Sequence, residues 1–137
     1  MEEKRRYVVM ALLFACAAIP AHAADKVTVV PVQFKAGASN ATLKGNFSGY
    51  DSVQYTLSAR QGQQMTVNIT GSSNANFNIF PPGVSPGSGT ALANGSVGSA
   101  WNGALPETGK YIVQVFQMRA SARRGEKVPY TISFEIK

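Results

Sequence analysis

Apolar and polar residues alternate along most of this chain, most clearly between Gly109 and Lys137. Tyr111, Val113, Val115 and Gln117 fall on one side, and Ile112, Gln114, Phe116 and Met118 on the other. A period of two built from β-branched and aromatic residues predicts a strand. The pattern resumes at Pro129, after which Tyr130, Ile132, Phe134 and Ile136 share a face. Between the two strands, Arg119, Arg123 and Arg124 place three guanidiniums within six residues. Polar loops are the default connection between strands, so the charge alone predicts a solvated hairpin loop. Its mounting between two firmly patterned strands makes 119–127 a candidate site.

Upstream the same period recurs. Residues 25–34 read as a strand that Pro31 confines to an edge or a bulge. Ala41, Leu43, Gly45 and Phe47 alternate with polar residues until Ser48-Gly49-Tyr50 interrupts them. Val53, Tyr55, Leu57 and Ala59, then Met65, Val67 and Ile69, predict two strands joined as a hairpin at 60–63. Phe77 and Ile79 precede the stop Pro81-Pro82-Gly83, and short strands are expected at 90–93 and 100–105. The Gly-, Ser- and Asn-rich stretch 83–99 reads as an excursion within one domain, because the remaining C-terminal piece is too small to fold alone. No segment carries an amphipathic helical period. Seven or eight short strands with turn signals between them predict an all-β fold, a small antiparallel β-sandwich spanning 24–137.

The first 23 residues have a different pattern. Lys4, Arg5 and Arg6 precede an apolar run from Tyr7 to Ile19, shorter than the ~20 residues that span a bilayer. Pro20 and the small-x-small sequence Ala21-His22-Ala23 follow, as a secretory signal peptide requires. Cleavage is expected between Ala23 and Ala24, which delivers a periplasmic protein with no stable membrane insertion. Leu13-Phe14-Ala15-Cys16 has the outline of a lipoprotein box, but bulky Phe14 and the apolar residues after Cys16 argue against lipid anchoring there.

Export changes the available chemistry. Cys16 and His22 are the only residues of their kinds, and both leave with the signal peptide. The remainder cannot form a disulfide, use a Cys or His nucleophile or base, or hold an imidazole-ligated metal. Its five acids, Asp25, Asp51, Glu107, Glu126 and Glu135, are scattered singly. Ten cations against those five acids leave a net charge of +5. These residues read as a binding protein that needs no cofactor and no metal, not as an enzyme. Sequons at Asn40, Asn46, Asn68 and Asn94 matter only where the host glycosylates.

Two signatures carry a resemblance. Ser48-Gly49-Tyr50-Asp51 leads into Val53-Gln54-Tyr55-Thr56-Leu57, with Arg60 and Gly62-Gln63 beyond. Leu105-Pro106 and Gly109-Lys110-Tyr111 lead to Val115-Phe116-Gln117-Met118-Arg119, Ala122-Arg123-Arg124 and Tyr130. Together they resemble the bacterial periplasmic inhibitors of i-type and g-type lysozymes over nearly the whole exported chain. The resemblance implies a small β-sandwich that inserts loops into a lysozyme cleft, with a part in evading host defence. It implies Tyr50, Arg119 and Arg123 as contact residues, with Ser48 and Arg124 as further ones. Residue types agree, since a guanidinium meets a carboxylate through two parallel hydrogen bonds and Tyr supplies a rigid ring. Both lysozyme types stay open, and so does the oligomeric state, a dimer included.

Other readings differ in what they need. An exported carbohydrate-binding module would stack sugars on Trp101, Tyr50 and Tyr55. Trp101, the only Trp, reads more readily as core or rim packing. A nucleic-acid partner is disfavoured, because cations outside 119–127 are dispersed and not interleaved with aromatics. A structural envelope protein remains as the third. Intact mass of protein from a periplasmic extract checks the first expectation, a chain beginning at Ala24. A diacylglyceryl mass on Cys16 would replace the soluble inhibitor with an anchored one.

Overall fold

The computed structural model describes residues 25–94 and 99–137. The segment expected to be a signal peptide, with Cys16, His22 and the Ala23/Ala24 junction, lies outside the described residues. Eight strands and one short helix follow in order: β1 (Val27–Pro31), β2 (Asn40–Ser48), β3 (Ser52–Ala59), β4 (Gln64–Thr70), β5 (Asn76–Phe80), β6 (Ala100–Ala104), β7 (Gly109–Phe116), α1 (Arg119–Arg123) and β8 (Lys127–Ile136). They build two four-stranded sheets, ordered β1-β3-β7-β5 and β2-β8-β4-β6. The all-β sandwich expected from alternation is present, with inward residues buried as the patterns require. β1 lies at a sheet edge, one of the two places open to Pro31, but it pairs parallel to β3. The other strand pairs are antiparallel.

Consecutive strands never share a sheet. Odd-numbered strands form one sheet and even-numbered strands the other. The hairpin expected at 60–63 is therefore an arch: β3 pairs with β1 and β7, while β4 pairs with β6 and β8. The basic segment 119–127 is an arch as well, because β7 and β8 lie in different sheets. Alternation reports which face a strand buries, not which strand lies beside it, so both misreadings have one cause. The helix within 119–127 was also unexpected, since five residues are too few to display a helical period. At 90–93 the expected strand reduces to a single bridge between Ala93 and Ile79.

The core lies between the facing sheets. Tyr55 of β3 and Tyr130 of β8 join hydroxyls across it at 2.6 Å, both almost fully buried. Their rings are edge-on to one another, and Tyr55 also packs on Phe134 at 5.3 Å between centroids. Gly45 of β2 pairs in register with Tyr130, and a Cβ there would collide with the Tyr130 hydroxyl. The apparent weakness of a glycine in β2 is thus what admits the hydroxyl pair. At the entry to β7, the Tyr111 hydroxyl donates to the Glu107 carbonyl at 2.6 Å, fixing the corner as tyrosines do in other sandwiches. Trp101 is half-buried against the core and lies over Gly103, a packing role.

Burial pushes both core hydroxyls above the ordinary tyrosine range. Their shared hydrogen bond offsets part of this at Tyr55 and adds to it at Tyr130, where a Tyr55 phenolate would hold the remaining proton. Unfolded tyrosines ionise near pH ~10, so the folded state keeps protons that the unfolded state loses above that pH. Stability is then complete below pH ~10 and falls as pH rises, by up to about 1.4 kcal/mol per pH unit for each tyrosine held protonated. Thermal melts across this range should show a steeper alkaline decline for the parent than for the Tyr55→Phe/Tyr130→Phe double variant. Equal slopes would mean that the pair ionises freely.

Candidate functional site

Strand directions bring three connections to one end of the sandwich: 49–51, 71–75 and 117–126. The first is a tight turn in which the Asp51 N–H donates to the Ser48 carbonyl at 3.1 Å. Gly49 has φ +58, and no non-glycine among the described residues has positive φ. That sign pattern belongs to a type II′ turn, which needs glycine at its first central position. Tyr50 takes the second position and is 49% exposed. The Asp51 carboxylate accepts the Lys26 backbone N–H at 2.8 Å, tying the turn to the start of β1. Ser48 closes β2 opposite Lys127 and is half-buried.

Beside this turn sits α1. A Cβ on Gly49 would lie 3.7 Å from the Ala122 carbonyl oxygen, so turn and helix are in close contact. Ala122 is buried and anchors the helix. Arg119 and Arg123 are four residues apart and share its outer face, where like charges repel. Arg119 also occupies the first turn, the unfavourable end for a cation. Among the described residues neither takes part in an ion pair. Arg124 differs: its Nε donates to Glu126 Oε1 at 3.2 Å, though its side chain stays 61% exposed. Glu126 Oε2 in turn accepts Asn74 Nδ2 at 2.9 Å, which ties in the third connection.

Underneath lies Gln117, only 6% exposed. Its Nε2 donates to the Gly49 carbonyl at 2.9 Å and to the Glu126 carbonyl at 2.8 Å. The Gly49 N–H donates to that same Glu126 carbonyl at 3.2 Å. All five residues singled out from the sequence, Ser48, Tyr50, Arg119, Arg123 and Arg124, therefore sit on neighbouring connections at one end. Sequence reading gave no role to Gln117, Glu126 or Asn74. A glutamine at an inward position and a lone acid in a basic segment were available signals for the first two; Asn74 offered none.

Other candidates do not converge. Tyr55 is in the core and unavailable to a sugar, and Trp101 lies on β6, so the three aromatics of the carbohydrate reading form no platform. Arg60 stands at the opposite end, beside an open cavity of about 450 Å³ that Phe34, Gln63 and Ile136 help to line. No group of metal-ligating side chains occurs among the described residues, and no helix among them is long and apolar enough to cross a membrane.

No protein-family model matches the sequence. It is 32% identical over 108 residues to the inhibitor of g-type lysozyme of Escherichia coli K12, covering 79% of this chain and 80% of that protein. The crystal structure of an Aeromonas hydrophila periplasmic inhibitor of g-type lysozyme superposes with a TM-score of 0.81 and 58% identity, covering 83% of this chain and all of that one. The Salmonella Typhimurium periplasmic inhibitor of g-type lysozyme gives a TM-score of 0.65 and 30% identity, covering 80% and 98% of the two chains.

Glu126 holds Arg124 and Asn74 at a partly exposed position, where an ion pair contributes ~1 kcal/mol or less and a solvent-screened hydrogen bond to the carboxylate about as much. Glu126→Ala should lower stability by about 1–2 kcal/mol in chemical denaturation, and the ion-pair share of that loss should shrink in high salt. No change in either measurement would mean that Glu126 does not brace this end of the molecule.

Proposed function

The chain belongs to the family of periplasmic inhibitors of g-type lysozyme, and from that membership we propose that it inhibits such an enzyme by filling its substrate cleft. In this reading Tyr50, Arg119 and Arg123 make the central contacts, with Ser48 and Arg124 at their margin. The relatives are inhibitors and not enzymes, and those of known structure are periplasmic. Their common target favours the g-type over the i-type enzyme.

One observation carries the reading. Two guanidiniums without counter-ions among the described residues share one face of α1, beside an exposed tyrosine on a turn that needs glycine. A fold gains nothing from like charges at this spacing. A glycosidase cleft holds a catalytic carboxyl group, and a planar guanidinium can meet it with two parallel hydrogen bonds. Tyr50 adds a rigid ring that loses little conformational freedom on binding. Arg124, already held by Glu126, is the weaker contact of the three arginines.

The test is inhibition of a g-type lysozyme on a cell-wall suspension, with each variant first shown to melt like the parent. Arg119→Ala or Arg123→Ala should cost about 2–5 kcal/mol of binding if each leaves a desolvated carboxylate unpaired. Tyr50→Ala should cost about 2 kcal/mol. Arg119→Lys keeps the charge but loses the fork, and should recover little. Arg60→Ala, at the far end, should cost almost nothing. Folded Arg119→Ala and Arg123→Ala variants that inhibit as well as the parent would move the site elsewhere.

A further inference from the structure

We propose that Gln117 is a positioning residue for inhibition: its side-chain amide locks the Tyr50 turn and the arginine-bearing arch into one surface. The inference rests on the site reading given above. Gln117 lies two residues before Arg119, on the inward face of the chain that continues from Tyr111, Val113 and Val115. It is the polar member of an otherwise apolar, buried row. Its Nε2 carries two protons, and each meets a carbonyl from a different connection: Gly49 at 2.9 Å and Glu126 at 2.8 Å.

Those two acceptors fix the orientation of the amide, since turning it over would set Oε1 against two carbonyl oxygens. Gly49 O belongs to the peptide that leads into Tyr50, and Glu126 O closes the arch that carries Arg119 and Arg123. This planar group therefore adds two bonds to the direct Gly49 N–H to Glu126 carbonyl bond at 3.2 Å, and helps to set the distance between the exposed ring and the two guanidiniums. Gln117 Oε1 is buried and has no hydrogen-bond partner. An apolar residue of similar length would fill the same space without that penalty. What an apolar residue cannot do is hydrogen-bond to the carbonyls of two separate arches, each of which crosses between the sheets. Holding both loops before the partner arrives lowers the entropy lost on binding.

Gln117→Met removes both donors while nearly keeping length and volume. With folded parent and variant compared well below their melting temperatures, the variant should inhibit a g-type lysozyme about tenfold to a hundredfold less well. The loss should appear mainly as faster dissociation. The discriminating readout is coupling. In a Tyr50→Ala background, and again in an Arg119→Ala background, the effect of Gln117→Met should shrink severalfold, because one of the two groups it aligns is gone. A residue that merely supports the fold would show the same loss in every background, and that result would overturn the proposal. So would a Gln117→Met variant that inhibits like the parent while Tyr50→Ala and Arg119→Ala lose inhibition; the site reading would then stand and the clamp would not. Should Tyr50→Ala and Arg119→Ala both inhibit like the parent, the site reading itself fails and the clamp with it.

Discussion

Every connection between consecutive strands carries the chain from one sheet to the other. No strand can pair with its sequence neighbour, so each ladder forms only when distant segments have reached the same layer. The Tyr55–Tyr130 hydroxyl pair is the polar part of the contact between the sheets, and it exists because Gly45 leaves room for it. Around it, Phe77, Ile79, Val113 and Phe134 supply the apolar area that drives burial. Non-local pairing of this kind is slow to form, and no cysteine occurs among the described residues to staple it.

The same constraint builds the candidate site. Arches that cross between sheets collect at the ends of the sandwich, and one end gathers a glycine turn, a short helix and the β4–β5 connection. Backbone and side-chain hydrogen bonds at Gly49, Gln117, Glu126 and Asn74 knit them together. Charge is distributed unevenly across the result. Glu126 takes up one of the three arginines and leaves the other two facing solvent on a shared helical face. Stability alone would favour the opposite arrangement, with counter-ions at four-residue spacing and an acid in the first helical turn. That departure from what stabilises a helix is what the proposed contact surface rests on.

Much of this was legible in the residues, and the boundary is physical. Alternation determined which side chains of β2, β3, β4, β7 and β8 face inward, and Pro31 confined β1 to an edge or a bulge. Family signatures singled out Tyr50, Arg119 and Arg123. A period of two, however, describes a strand relative to its own axis and carries no record of its neighbours. Only the tertiary structure decided that 60–63 and 119–127 are arches and that β1 runs parallel to β3. It alone turned 119–123 into a helix, with Ala122 buried and no helical period in the residues. It also separated the arginines by role, giving Arg124 to Glu126, and gave Asp51 to the Lys26 backbone and Gln117 to two carbonyls. Such assignments depend on which distant atoms arrive within about 3 Å, a quantity that local sequence does not contain.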